Sequence, residues 1–274
     1  MSEAGGFYDT TYGDFVKRAR VAVRAETFGE DLGQNDWMTA EEWRYLLGWL
    51  HLPAGAALLD VGCGSGGPVL YAAQRLGVRV CGVDSNASAI EAAVSVAAHG
   101  QVQARFEVAD ASRPLPFADG EFDALVCIDA INHLPERERV FAEWRRVVRP
   151  GGQILFTDPI IVTGLLTSEE IAARSAIGFF VFSLLELDRA LIHNAGLELV
   201  REEDLTGAVA QVSARWRGAR ERYREHLAAA EGERAFEDFQ RFFEVVHDLS
   251  SQRRLSRYVF LATRPASLTP GASR

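Results

Sequence analysis

Between Thr39 and Asp158 the chain alternates short apolar runs with stretches whose apolar residues recur every three to four positions. That alternation predicts a parallel sheet with crossover helices. Thr39 followed by Glu42 predicts a capping box at the head of a helix carrying Trp43, Leu46, Leu47 and Leu50. Ala57 to Val61 predicts a first strand, followed by a glycine-rich turn and a helix entered through Pro68. Val78 to Val83 predicts a second strand ending at Asp84, with a helix from Ala87 to Ala98 behind it. Further strands are expected at Ala104 to Val108, Ala124 to Ile128 and Gln153 to Thr157. A helix from Glu136 to Val148 precedes the last of these and is stopped by Arg149-Pro150-Gly151-Gly152.

Beyond Asp158 the rhythm changes. Residues 160–182 are mostly apolar without a strand's alternation and read as helical. Leu184 to Asn194 predicts a helix ended by Gly196, Leu197 to Val200 a strand, 206–250 a long helical excursion, and Arg257 to Ala262 a closing strand. The two late strands complete one sheet, and the helices at 160–182 and 206–250 form a lid over the strand ends. Phe236, Phe239, Phe242, Phe243 and Val246 recur at helical spacing and read as core. Trp216, Tyr223 and Leu227 form a similar stripe, on a helix whose arginines and glutamates read as a solvated face.

Composition narrows the function. Lys and Arg total 29 against 38 Asp and Glu, a formal charge of −9, with no strongly basic stretch. Such a chain is repelled by phosphate backbones, so nucleic acid is not an expected partner. Met1 to Thr11 is polar and shows no apolar signal region, and no run reaches a membrane span, which makes a cytoplasmic protein the expectation. Cys63, Cys81 and Cys127 form no CxxC pair and read as buried small hydrophobes in a reducing compartment. No metal-ligand constellation stands out among the six histidines.

The turn Asp60-Val61-Gly62-Cys63-Gly64-Ser65-Gly66-Gly67 joins a strand to a helix. Glycine suits a tight turn against which a ligand lies on bare backbone, and the helix end behind it favours an anionic group. Asp84, about twenty residues on at a strand end, suits the two hydroxyls of a ribose. At this point NAD and S-adenosylmethionine are both open. Asp60 reads either as part of that site or as a strand-end carboxylate bonding nearby N–H groups.

A resemblance carried by three stretches, taken in order, separates the two cofactors. Leu59 to Gly66 resembles the first motif of class I S-adenosylmethionine-dependent methyltransferases. Asp110-Ala111, with Pro114-Leu115-Pro116-Phe117 and Phe122-Asp123, resembles the adenine-holding segment of that family, and Arg149 to Gly152 its turn before the fifth strand. The resemblance covers about residues 55–160. It implies an α/β fold with a Rossmann-like sheet of seven strands, mostly parallel with the last antiparallel, and a helical lid. It implies S-adenosyl-L-methionine as cofactor, with Gly62 and Gly64 at the methionine moiety, Asp84 and Ser85 at the ribose, Asp110 and Ala111 at the adenine, and Asp60 and Ile128 also lining the site. Residues 1–38 are expected to cover the cofactor, 39–264 to form the methyltransferase domain, and 265–274 to be a flexible tail.

His133, just after the fourth strand, is the expected catalytic base, because an ordinary histidine pKa of about 6.5 suits proton abstraction near neutrality. Phe28-Gly29-Glu30-Asp31, Asp129-Ala130 with His133, and the late helical region are similar to phosphoethanolamine methyltransferases. That resemblance implies a tyrosine from the N-terminal segment, Tyr12 rather than Tyr8, beside the histidine, and Gln34 at the amino-acid end of the cofactor. The lid departs from that family. Its stretch Ala173 to Phe182 has one arginine, and with Ile160, Ile161, Leu165 and Leu166 it predicts a greasy cavity. The expected activity is therefore N- or O-methylation of a small, partly hydrophobic metabolite. Phosphobase or carbon methylation stands second, and a non-catalytic cofactor-binding module third.

Overall fold

The structure, a computed structural model, describes residues 11–12 and 18–266. Tyr8 and nearly all of the expected tail lie outside the described residues. Helix α1 (Arg18–Phe28) and α2 (Ala40–Leu47) precede the first strand, β1 (Ala57–Val61). Thr39 caps α2 by accepting the Glu42 N–H, but the Glu42 side chain turns away to Arg257, so only half of the expected capping box forms. The chain continues through α3 (Gly67–Leu76), β2 (Arg79–Asp84), α4 (Ala87–His99), β3 (Ala104–Val108), β4 (Phe122–Cys127) and α5 (Arg137–Val147).

The fifth strand, β5 (Val148–Val162), is longer than the sequence pattern predicts. It begins at Val148, ahead of the Arg149–Gly152 turn, and the register against β4 shifts across that turn as at a bulge. It then runs on past Thr157 through Ile160 and Ile161, both fully buried. Hence only Ser168–Arg174 of the expected 160–182 helix is helical (α6), and a Thr167–Glu170 capping box starts it. Helix α7 (Leu185–Asn194) and β6 (Glu198–Asp204) follow. The long excursion is three helices, α8 (Thr206–Arg222), α9 (Arg224–Glu231) and α10 (Glu233–Ser251), and β7 (Leu255–Thr263) closes the sheet.

The seven strands lie in the order β3-β2-β1-β4-β5-β7-β6. Every pair from β3 to β5 is parallel, and β7 runs antiparallel to both its neighbours. Side chains alternate across the sheet: Leu59, Val61 and Leu125 pack against Phe141 and Trp144 of α5 on one face, Leu58 and Val126 against Trp43 and Leu46 of α2 on the other. A third apolar cluster lies off the sheet, where Val23 and Phe28 of α1 and Trp37 meet Trp216, Phe236, Phe239 and Val246 of the late helices. The strand order reverses between β1 and β4, and the C-terminal ends of β1, β2 and β4 meet there, where open α/β sheets bind ligands.

Candidate functional site

At that crevice the glycine turn is compressed from above. Gly64 has φ +52°, and a Cβ there would stand 2.5 Å from the Tyr12 hydroxyl. A Cβ at Gly67 would stand 1.7 Å from the carbonyl oxygen of Leu32. The Ser65 hydroxyl donates to the Gly33 carbonyl at 2.8 Å. Part of the turn's glycine requirement thus comes from the N-terminal segment that lies on it, a reason the sequence reading did not contain.

A cavity of about 520 Å³ opens beside the turn, within the range of small-molecule sites. Gly62, Gly64, Asp60, Asp84 and Ser85 line one side and Asp110, Ala111, Ile128 and His133 the other, with Tyr12 and Gln34 above. The individual side chains differ in how committed they are. Asp84 accepts the N–H groups of Gly64 and Asn86, each at 2.9 Å, and burial raises its pKa. Asp60 accepts no hydrogen bond among the described residues, so it is not the N–H cap that was the alternative; burial, then the charge of Asp84, pushes its carboxyl up to about 8. Asp110 is occupied by its own turn, accepting from Ser112 and Arg113, and the Ser112 bond lowers its pKa. The Gln34 amide ties its own loop, accepting from Leu32 N–H at 2.6 Å and donating to Glu30 at 3.2 Å.

His133 ends a short 3-10 turn (Ile131–His133) after β4. Its Nδ1 is 3.0 Å from the Phe179 carbonyl, which can only accept, so Nδ1 carries the hydrogen and Nε2 the lone pair of the neutral ring. Burial pushes its pKa down to about 4, against the Phe179 bond and with help from Arg174. Beside it, Asp129 is a non-glycine residue at φ +50°. Three elements hold it there: it accepts from Arg257 Nε and Thr157 Oγ1 at 2.7 Å and from the Trp37 N–H at 3.1 Å. Asp36 accepts the Met38 N–H at 2.9 Å, and burial followed by the charge of Asp129 raises its pKa.

Asp36, Asp129 and His133 also line a second cavity of about 80 Å³. The expected lid stretch supplies Arg174, Ile177 and Phe180 to its walls, whereas Ile160, Ile161, Leu165 and Leu166 are not among its lining residues. Leu165 is 90% exposed, Ile160 and Ile161 are sheet core, and the aromatic wall is Trp37, Phe180, Trp216, Phe242 and Phe243. Arg20, Arg24, Arg174 and Arg220 stand among them. Arg220 corrects the solvated-face reading of α8, since that residue is buried. Phe242 and Phe243 are both core and cavity wall. The sequence pattern marks Arg174 as the lid's one arginine but not Asp36, Arg20, Arg24 or Arg220. A buried arginine on a charged helix carries the same pattern as an exposed one, so nothing in the chain's periodicity marks it. The three cysteines are free and buried, and burial pushes the Cys81 thiol up to about 12, which makes it inert.

Residues 59–156 match a protein family described as a methyltransferase domain. The chain is similar to 27-O-demethylrifamycin SV methyltransferase of Amycolatopsis mediterranei, 34% identical over 208 residues, 73% of this chain and 76% of that protein. It is similar to phosphoethanolamine N-methyltransferase 1 of Triticum aestivum, 27% identical over 215 residues, 78% of this chain but only 43% of the plant protein. Among solved structures, cyclopropane synthase MmaA2 from Mycobacterium tuberculosis has the same fold, with a TM-score of 0.80 at 18% identity over 94% of this chain and 98% of that one. Among the described residues, no helix is long and apolar enough to cross a membrane. The glycine turn, the strand-end carboxylates and a relative this similar over most of both chains carry one conclusion: the chain belongs to the class I S-adenosylmethionine-dependent methyltransferases that act on small molecules.

Proposed function

We propose that the chain methylates an oxygen of a small, partly hydrophobic metabolite, with His133 taking the hydroxyl proton. The observation that carries this reading is the position of His133 on the boundary of two cavities, with its tautomer set by the Phe179 carbonyl so that Nε2 presents a lone pair. Burial keeps the ring neutral at ordinary pH, so it serves as a hydrogen-bond acceptor throughout. The relative acting on 27-O-demethylrifamycin SV supports oxygen as the acceptor atom.

S-adenosylmethionine supplies an electrophilic methyl group on a sulfonium. In this reading Asp60, buried and without a donor, takes the cofactor's ammonium. The N–H groups at the head of α3 favour its carboxylate, and Asp84 retains lone pairs for the ribose hydroxyls. Ser85, Ala111 and Ile128 line the same cavity and Asp110 flanks the adenine end. Gly62 and Gly64 leave room beside the turn, and Tyr12 lies over it as a cover. Gln34 acts by holding the loop above the turn.

A nitrogen acceptor is the second reading, favoured by Asp36 and Asp129, two carboxylates at the same boundary that would suit an amine. The test is transfer of an isotopically labelled methyl group to matched alcohols, phenols and amines, with products resolved by mass spectrometry. Label on alcohols or phenols supports the proposal. Label on amines alone replaces it with the second reading. Calorimetry with S-adenosylhomocysteine, with NAD in parallel, checks the cofactor site independently.

A further inference from the structure

The second cavity contains a charge imbalance that the transfer reaction does not explain. Glu231 at the end of α9 accepts from Arg20 of α1 at 2.9 Å through one oxygen and from Arg220 of α8 through the other. The side chains of Arg220 and Glu231 are 3% exposed and that of Arg20 is 10% exposed. Two guanidiniums thus share one carboxylate out of water, leaving a net positive charge where solvent cannot offset it. Burial lowers the pKa of Arg220, and the neighbouring charge of Arg20 adds to that against the pull of Glu231. The Nε atoms of both arginines are buried and have no hydrogen-bond partner among the described residues. Both side chains line the cavity.

Two other charges at the cavity have partners of their own: Arg24 is paired with Asp31 at 3.1 Å, and Asp129 with Arg257 at 2.7 Å. The Arg220 guanidinium lies 6.0 Å from the Phe243 ring, which stacks with Trp216 at 5.7 Å with planes 12° apart, and both rings line the cavity. We propose that this cavity binds a planar anionic group of the methyl acceptor, a carboxylate on an aromatic or conjugated frame, held by Arg20 and Arg220. A cavity of about 80 Å³ takes such a group and not a whole metabolite, so the remainder of the acceptor lies toward His133 in the larger cavity. This rests on the reading of the second cavity as part of the acceptor site.

The test uses the full chain saturated with S-adenosylhomocysteine and a ligand-observed NMR titration with benzoate, its neutral isostere benzamide, and phenyl phosphate. Benzoate is expected to bind at least about tenfold tighter than benzamide, the scale of a charge-assisted hydrogen bond. Arg20→Gln and Arg220→Gln are each expected to erase that difference while S-adenosylhomocysteine still binds. Equal binding of benzoate and benzamide to the unmutated protein overturns the proposal, whether or not the variants fold. So does retention of the benzoate preference in folded variants, and tighter binding of phenyl phosphate overturns the planar assignment. Failure of S-adenosylhomocysteine to bind the unmutated protein is a different result and strikes the methyltransferase reading of the larger cavity.

Discussion

Two titratable side chains at the crevice are held far from their ordinary protonation behaviour, and each gives a measurable consequence. Burial depresses His133 to about 4, so the acid limb of kcat/KM is expected near pH 4, well below the ordinary histidine value. His133→Ala is expected to remove that limb and lower turnover by about 10²–10⁴-fold with S-adenosylhomocysteine affinity unchanged. Unchanged turnover would sink the base assignment. Asp60 is shifted the other way, up to about 8. Between its unfolded pKa and about 8 the folded chain holds a proton that the unfolded chain has released. Stability of the ligand-free protein therefore falls as pH rises through that window. Asp60→Asn is expected to flatten the slope of Tm against pH between about 4 and 8; an unaltered slope assigns the titration elsewhere. That Asp60 belongs to the site was readable from its place before Gly62-Cys63-Gly64. That it accepts no hydrogen bond was not, because only the three-dimensional course of β2 and the 30–36 loop decides which N–H groups reach it.

At the scale of elements, strands with clear bounds were legible and the buried continuation of β5 was not. Ala57–Val61 follows from a short apolar run and Ala104–Val108 from apolar residues alternating with Arg105 and Glu107. Ile160 and Ile161 are both fully buried, so neither face of the strand is polar and the alternation that marks a strand is missing. The sequence did hold a usable signal, Thr167 with Glu170, which fixes where the helix after it starts. Likewise Gly232, at φ +89°, breaks the late helical excursion. What pins β5 to its flanking helices is a buried triad: Arg137 of α5 donates to Asp158 of β5 at 2.6 Å and to Asp188 of α7 at 2.8 Å. Burial, then the charge of Asp158, raises Asp188 to about 8, which favours its protonated form. Arg137→Met is expected to cost about 3–5 kcal/mol, because it strands Asp158 in the core. Asp188→Asn, which resembles the protonated acid, is expected to cost under about 1 kcal/mol at pH 7. Urea denaturation of both variants checks the contrast, and equal losses would mean that Asp188 is ionised.

At the scale of the molecule, the segment from Arg18 to Trp37 joins the sheet to the late helices, a role its sequence did not announce. Beyond covering the larger cavity, it packs into the aromatic cluster: Phe28 meets Trp216 edge-on at 5.5 Å and Trp37 lies 6.2 Å from both Phe242 and Phe243. On the other side Ser65 holds Gly33, and the Trp37 N–H reaches Asp129 at the end of β4. The second cavity is formed from parts of α1, α6, α8 and α10, elements distant in the chain, so no local motif could have shown it. Trp37 sits at the seam, with its ring in the aromatic cluster and its backbone on the sheet side. Trp37→Ala is expected to cost about 3–5 kcal/mol, the usual loss for deleting a buried aromatic. The loss should fall unevenly. Amide hydrogen exchange should accelerate across 206–251 while β1 and β4 keep their protection, because their apolar layers do not include Trp37. Adding S-adenosylhomocysteine at a hundred times its Kd stabilises the binding-competent state by about 2.7 kcal/mol. If Gly33 and Asp129 transmit that to the late helices, exchange across 206–251 should slow again in the variant. Acceleration spread equally over the sheet would mean that the two parts unfold as one unit, and no acceleration would mean that Trp37 does not join them.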